Sequence, residues 1–366
     1  MSFAILGLGT ALPDCVFTQE DAVCVAQMLC QDPRQAPLVP VLFRQTEIVK
    51  RHLILDRQVI RDIIAGTRHS QSPFLLKGPV DDPGPTTQER MQIYNDNAFP
   101  LALTAAQQAL TEAGVAAEEI THVVTVSCTG FSAPGVDIAL IKALGLPATT
   151  ERTHVGFMGC HGALNGLRVA RTITGAEPNA RVLLCAVECC SMHFHYGWDP
   201  KKVVSNALFG DGAAALVGVN GAGRDASWRV AANGARLFPD CEYAMTWNIG
   251  NHGFDMTLST KVPNLIEANL RPWLESWLAR HGLTIGDIAS WAIHPGGPRI
   301  LNAVAETLGL ETAATAVSHE VLTQHGNMSS PTVLFILDRL RRSGAARPCV
   351  AMGFGPGLAA EAALFV

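Results

Sequence analysis

Short apolar runs of strand length recur along this chain, each separated from the next by a segment with helical spacing, and that alternation restricts it to a layered α/β architecture. The runs are Ala4–Leu8, Val123–Cys128, Val182–Val187, Ala213–Val217, the stretch at Trp291, Cys349–Met352 and Ala360–Val366. Between them, Thr18 with Asp21 forms a capping box that opens a helix to about Leu29. Thr86 with Glu89 opens a second, which runs toward Ala113, bends at Pro100 and stops at Gly114. Gly135 to Leu144 reads as a short helix, Pro263 to Leu270 as another that Pro272 restarts, and 46–64 as helical in part, with Lys50, Arg51 and His52 exposed. Ser72 to Pro85 holds Pro73, Gly78, Pro79, Pro83 and Gly84, a surface connection without regular structure. A Gly/Asn connector from Val217 to Asp225 divides the chain into halves, 1–220 and 221–366.

The chain has 366 residues, more than one ordinary domain, and only 16% are charged against roughly 25% in an average soluble protein. Much of its surface is therefore buried, partly in a subunit interface. A net charge of -5 with no basic stripe excludes a nucleic-acid binder. The ten cysteines are irregularly spaced and include the vicinal pair Cys189-Cys190, which is no disulfide framework and points to the reducing cytoplasm. Met1 to Gly9 lacks a basic leader and reads as a first strand, and no apolar run reaches the roughly 18 residues of a membrane span. Gly7-Leu8-Gly9 is followed by Leu12 where a dinucleotide fingerprint needs a third glycine.

The chemistry is concentrated at three element boundaries. In Thr153-His154-Val155-Gly156-Phe157-Met158-Gly159-Cys160-His161-Gly162, an apolar run meets a turn and then a helical segment. Cys160 thus stands at a helix start, where unpaired N–H groups and the macrodipole stabilise a thiolate. Trp291-Ala292-Ile293-His294-Pro295-Gly296-Gly297-Pro298 delivers His294 to a strand end, and His325-Gly326-Asn327-Met328-Ser329-Ser330 puts Asn327 in a turn before the helical run Val333 to Arg341. A cysteine, a histidine and an asparagine so placed suit nucleophilic catalysis on a thioester or amide. His161 is the nucleophile's neighbour in sequence, and its side chain is expected to point away along the helix. Cys189, Cys190, His193 and His195 crowd one stretch, but adjacent cysteines seldom close on one ion, so no metal site is expected there.

These motifs, together with Leu208-Phe209-Gly210-Asp211-Gly212-Ala213 and Gly353-Phe354-Gly355-Pro356-Gly357, resemble those of the type III polyketide synthases, the chalcone- and stilbene-synthase-like family of the thiolase superfamily. They occur in the family's order and span most of the chain. The resemblance implies a thiolase-like αβαβα fold of two related halves, a homodimer, no cofactor, and malonyl-CoA condensing with an acyl-CoA starter held on Cys160 as thiolate beside imidazolium His294. It implies further that Phe209 and Met256 are the gate residues between coenzyme A tunnel and cavity, and that Cys128, His193, Trp247 and Ser329 line the cavity. Gly296 and Gly297 belong to its substrate-binding turn, and Lys50 and Arg51 fall near its coenzyme A phosphates. Met256 stands where Phe is usual, and Trp247, His193 and Ala133 depart from the plant pattern toward a bacterial one. Trp247 and His193 therefore imply a reduced cavity and small pyrone or single-ring products. Two other readings share the same three residues: an initiation-type ketoacyl synthase on an acyl carrier protein, and a papain-like hydrolase, whose order is also Cys, His, Asn.

Overall fold

The computed structural model describes residues 2–78, 81–224 and 228–366; Pro79 of the proline-rich connection and Asp225 of the connector between halves lie outside the described residues. The strands are β1 Phe3–Ala11, β2 Cys15–Thr18, β3 Lys50–Leu53, β4 His122–Ser127, β5 Glu151–Gly156, β6 Arg181–Cys189, β7 Asp211–Asn220, β8 Arg229–Leu237, β9 Met245–Gly250, β10 Gly253–Leu258, β11 Ser290–Ile293, β12 Cys349–Gly355 and β13 Ala359–Phe365. In the first half the helices are α1 Gln19–Cys30, α2 Val39–Arg44, α3 Arg57–Ala65, α4 Thr87–Ala113, α5 Val136–Leu144, α6 Gly162–Ala176 and α7 Pro200–Leu208. In the second they are α8 Val262–Ala279, α9 Pro298–Leu308, α10 Thr312–His325 and α11 Thr332–Arg342.

Nine strands form one mixed sheet in the order β11-β12-β13-β8-β1-β7-β6-β4-β5. Going outward from β1, the strands β7, β6 and β4 are joined by antiparallel, antiparallel and parallel pairing. Going outward from β8, the strands β13, β12 and β11 repeat that series. The two halves are thus built alike, and the duplication, invisible in the sequence, is visible in the strand order. They meet where β1 pairs antiparallel with β8 through Phe3↔Val230 and Ala4↔Arg229.

Hydrophobic burial stacks this sheet into five layers. One core joins α4 to β1, β6 and β7; a second sets α6 and α11 between the sheet faces of both halves; a third packs α8 and α9 on the far side. The result is the αβαβα arrangement. The innermost helices are the most apolar, with Val333, Leu334 and Ile336 of α11 and Leu164 and Leu167 of α6 wholly buried. On the outer side, α4 presents Ala98, Ala102, Ala105, Ala106 and Ala109 to the sheet. A Cβ at Gly7 would lie 2.4 Å from the Ala109 carbonyl oxygen, and one at Gly9 2.3 Å from that of Ala105. The glycine pair in β1 therefore exists to let α4 approach.

Both capping boxes form as expected, at Thr18/Asp21 and Thr86/Glu89, and Gly114 closes α4 in the left-handed conformation. Four expectations are corrected. Residues 46–64 are helical in part, as α3, but Lys50–Leu53 is the strand β3 paired with β2, which buries Arg51 and leaves Lys50 and His52 only partly exposed. Pro272 lies inside a continuous α8 and restarts nothing. β7 runs to Asn220, so the connector begins only at Gly221. The run before Cys160 is a strand, but an exposed one: β5 is a sheet edge whose Glu151, Arg152, Thr153 and His154 are all exposed. No helix among the described residues is long and apolar enough to cross a membrane.

Candidate active site

Cys160 lies on a single 3-10 turn, Gly159–His161, between β5 and α6. Gly159 has φ +67°, and a Cβ there would sit 2.4 Å from Cδ of Pro356. Only glycine lets the loop after β12 close over Cys160. His294 leaves the end of β11 with its N–H donating to the Met352 carbonyl at 2.8 Å, so strand pairing continues to His294 itself. Asn327 follows α10; its N–H donates to the Leu208 carbonyl at 2.9 Å and its own carbonyl accepts from Gly210 N at 3.0 Å. Asn327 and Phe209 are thereby strapped together as an isolated parallel bridge. The Ser329 N–H donates to Asn327 Oδ1 at 2.8 Å, which leaves the Nδ2 donor for the site. That amide lies 3.9 Å from Cys160 Sγ.

The three side chains line one apolar pocket of about 20 Å³ with Met245, Met256 and Phe354. All are buried: Cys160 is 7% exposed, His294 and Asn327 1% each. Burial pushes the Cys160 thiol up to about 11, and pushes the His294 imidazole down to about 3, with the neighbouring His161 adding to the latter. Both directions favour a neutral thiol beside a neutral imidazole at rest, rather than the thiolate and imidazolium expected from sequence. Among the described residues, both ring nitrogens of His294 lack a hydrogen-bond partner. The site is thus held for a reactant that supplies the missing partners.

A second cavity, of about 50 Å³, adjoins it. Cys160, Cys128, Ser329, Phe209, His193, Trp247 and Met256 all line it, so these seven side chains converge. Cys128 Sγ and Ser329 Oγ are 3.3 Å apart, with Ser329 at φ +57°. Trp247 and Met256 face each other across the β9–β10 hairpin, and the indole Nε1 donates to the Cys128 carbonyl at 2.7 Å. His193 is fixed as one neutral tautomer: Nδ1 accepts from Phe254 N at 3.0 Å, so Nε2–H donates to the Thr129 carbonyl at 2.7 Å. Its ring stacks on Phe254 at 4.3 Å, and burial pushes its pKa down to about 3. With both nitrogens engaged, His193 offers nothing to a metal.

Outward from the triad, a channel of about 310 Å³ is lined by Gly296, Gly297, Arg299, Thr46 and Leu208, among others. Gly296 borders both channel and catalytic pocket. Neither Lys50 nor Arg51 lines it. Arg51 is the clearest correction, since it is 0% exposed and its guanidinium donates to the carbonyls of Asn206 at 3.1 Å, Ala207 at 2.8 Å and Phe209 at 3.3 Å, and to Gln19 Oε1 at 2.8 Å. It holds the wall of the cavity and cannot meet a phosphate. The exposed cation at the channel is Arg299, missed in the sequence although it follows the Gly296-Gly297-Pro298 turn directly.

Sequence reasoning also missed Glu188. This wholly buried carboxylate accepts from Cys128 N at 2.9 Å, Thr129 N at 3.1 Å, Thr129 Oγ1 at 2.7 Å and Ser330 Oγ at 2.5 Å. It ties the end of β4 to the Asn327–Ser330 turn. Its signal was a lone acid at the end of an apolar strand run.

Comparison with known proteins identifies the architecture. Residues 2–222 match the family description "Chalcone and stilbene synthases, N-terminal domain", and 229–366 the corresponding C-terminal domain. The chain is 32% identical to the alpha-pyrone synthesis polyketide synthase-like Pks18 of Mycobacterium tuberculosis, over 99% of this chain and 90% of that protein. It is also 32% identical to 1,3,6,8-tetrahydroxynaphthalene synthase of Streptomyces peucetius, over 98% and 91%. Among solved structures, PKS-I from the brown alga Ectocarpus siliculosus superposes with a TM-score of 0.91 at 31% identity, over 99% of this chain and 97% of that one.

Proposed function

The chain belongs to the chalcone and stilbene synthase family and is a type III polyketide synthase, and from that premise we propose that Cys160, His294 and Asn327 perform decarboxylative condensation of malonyl-CoA onto a starter, ending in a small α-pyrone. The observation that carries this reading is the convergence of the three residues on one apolar pocket joined to a cavity that Trp247 and His193 narrow.

The starter thioester enters past Gly296 and Gly297, with Arg299 the cation for its phosphates. Cys160 attacks the thioester carbonyl while His294 takes the thiol proton; the C–S bond to coenzyme A breaks and that thiolate recovers a proton. Asn327 Nδ2 and His294 then donate to the thioester carbonyl of malonyl-CoA, so that loss of carbon dioxide leaves an enolate in a preformed hole. The enolate carbon attacks the acyl-Cys160 carbonyl, a C–C bond forms, the C–S bond breaks and Cys160 is free again. Each negative charge meets a fixed donor, and the step requires neither metal nor organic cofactor. A cavity of about 50 Å³ holds roughly three to five water-sized groups, so the growing end has space for roughly one or two C2 units. A triketide whose enol oxygen attacks its own thioester closes a six-membered lactone without further machinery. The pyrone chemistry named for the mycobacterial relative fits that limit.

The exposed edge strand β5 and the exposed Phe131, Phe157 and Met158 beside it favour a homodimer formed along this edge. The ten cysteines, all unpaired, favour a reducing cytoplasm. Incubation of the pure protein with malonyl-CoA and a panel of acyl-CoAs, read by product mass, tests the reading. Pyrones carrying the starter's carbon chain are expected; free acid from the starter alone, or a single condensation confined to an acyl carrier protein, would overturn it.

A further inference from the structure

The end of the sheet edge away from Cys160 holds three side chains that the reaction does not use. His122 opens β4, Glu151 opens β5 beside it in register, and Glu177 caps the C-terminus of α6. His122 Nε2 lies 3.8 Å from Glu151 Oε2 and 3.8 Å from Glu177 Oε2, and the three atoms are all within 4.8 Å of one another. Both glutamates are exposed, whereas His122 is only 5% exposed. The other side of its ring settles the tautomer. Thr121 Oγ1 donates to the Arg181 carbonyl at 3.2 Å and accepts from Arg181 N at 2.9 Å. Its hydrogen being used there, His122 Nδ1, 2.8 Å from the same oxygen, is the protonated nitrogen and donates to it. His122 Nε2 is then a bare lone pair without a hydrogen-bond partner, on a buried ring aimed between two carboxylates.

Three acceptors that face one another repel unless something positive stands between them. A proton on Nε2 does not answer the spacing, because an N–H···O bond spans about 2.7–3.2 Å. A metal ion does. Zinc bonds to imidazole nitrogen and carboxylate oxygen are about 2.0–2.2 Å long, so two donors 3.8 Å apart on one ion subtend about 130°. A small turn of either exposed glutamate closes that toward the tetrahedral angle. One imidazole with two carboxylates suits Zn²⁺ and its transition-metal neighbours, whereas Mg²⁺ and Ca²⁺ take oxygen ligands. The bond from Nδ1 to Thr121 is the outer contact that orients a metal-bound imidazole. We propose that His122 Nε2, Glu151 and Glu177 bind one divalent transition-metal ion, Zn²⁺ by preference, as a structural clamp. Residues 151–177 run through β5, the Gly159–His161 turn and α6, so the ion ties together the two ends of the segment that carries Cys160 in its middle. The six residues of β5, at about 3.3 Å each, set the clamp roughly 20 Å from Cys160. The ion therefore takes no part in the chemistry, and the assignment does not depend on the reaction proposed above.

The test is calorimetric titration of Zn²⁺ into the full chain, stripped beforehand with EDTA, beside Glu151→Gln, Glu177→Gln and the double variant, with melting curves of each. Both glutamates are exposed, so their glutamine variants keep the fold. Free cysteines elsewhere in the chain also take zinc, and the readout is therefore the difference between wild type and variants. Wild type is expected to bind one Zn²⁺ per chain more than the double variant, in the micromolar range, and each single variant to bind that ion more weakly. At free Zn²⁺ a hundred times the Kd, unfolding of wild type becomes about a hundredfold less favourable, a rise of roughly 3–4 °C in melting temperature for a chain of this size. The double variant gains none of that rise. His122→Gln, where it folds, loses the same ion, and the two glutamate positions carry the test where it does not. A double variant that keeps the extra Zn²⁺ or the same rise overturns the proposal, as does a wild type that takes up no more than the variants.

Discussion

Replacing Trp247 by Ala separates a cavity-limiting side chain from an ordinary core residue. A fully buried Trp truncated to Ala costs about 3–5 kcal/mol. Trp247 is half-buried with one side already on open cavity, so its packing loss lies at or below the low end of that range. The truncation also strips the Cys128 carbonyl of the indole donor at 2.7 Å, a loss of about 1–3 kcal/mol for a buried acceptor unless water enters the enlarged space. With the packing loss at about 2–3 kcal/mol the sum is about 3–6 kcal/mol, or roughly 4–8 °C in melting temperature at the ~2.1 cal/mol/K per residue of a typical unfolding entropy. That leaves a folded enzyme. An indole is larger than a C2 unit, so the variant has room for at least one further extension beside Met256, or for a longer starter. Product masses from one starter series and melting curves of the same preparations are measured together, with Trp247→Phe as an intermediate. A variant that melts within the stated interval and gives unchanged product length and unchanged starter preference would refute the reasoning.

Cys160→Ala is expected to abolish starter loading and product while retaining some malonyl-CoA decarboxylation, seen as acetyl-CoA; wild-type product rates would remove Cys160 from its role. Asn327→Ala and His294→Ala should each lower turnover on the order of 10²-fold or more, with acylation of Cys160 surviving better in the Asn327 variant; equal loss of acylation would assign Asn327 to the nucleophile. Arg51→Met leaves three buried carbonyls short of a donor, costing on the order of 3 kcal/mol. Its preference for malonyl-CoA over the 3′-dephospho analogue should match wild type, and a changed ratio would return Arg51 to phosphate binding. His193 and His294 have folded pKa values near 3 against an ordinary 6.5, so the unfolded state binds their protons first and stability falls as pH drops below about 6.5. Two such groups remove up to about 2.7 kcal/mol per pH unit below about 6. Asp211, pushed up to about 6 by burial, opposes this over part of the same range. Flat urea stability from pH 7 to 5 would contradict the burial of both histidines.

Local signals were legible where the physics is local. Thr18/Asp21 and Thr86/Glu89 began helices because a capping box is complete within four residues, and Gly159-Cys160 was recognisable because a turn between strand and helix needs its glycine nearby. Arg51 was misread because its partners, the carbonyls of Asn206, Ala207 and Phe209, are more than 150 positions away, and Lys-Arg-His in isolation resembles a solvated helix face. The β9–β10 hairpin is not legible in the sequence although Trp247 and Met256 are its facing pair, because register belongs to neither residue alone. Glu188 escaped for a related reason, since a carboxylate at a strand end acquires meaning only when the end of β4 and the turn at Ser330 bring it five donors.

Arg51 and Arg90 share one property that bears on how such an enzyme can change. Both are buried, and Arg90 donates to Pro85 O at 2.9 Å, to Phe194 O at 3.1 Å and to Met192 O, much as Arg51 grips the segment ending at Phe209. These grips fall on main-chain carbonyls, which every amino acid possesses. The backbone flanking His193 and that carrying Phe209 are therefore held in place whatever side chains project from them. Mutation can exchange the lining residue by residue without shifting the frame, and each exchange reshapes the mould in which the chain is folded and cut. Innovation in product is in this way uncoupled from loss of fold, and a lineage carrying these two arginines can drift among starters and ring types at little structural risk.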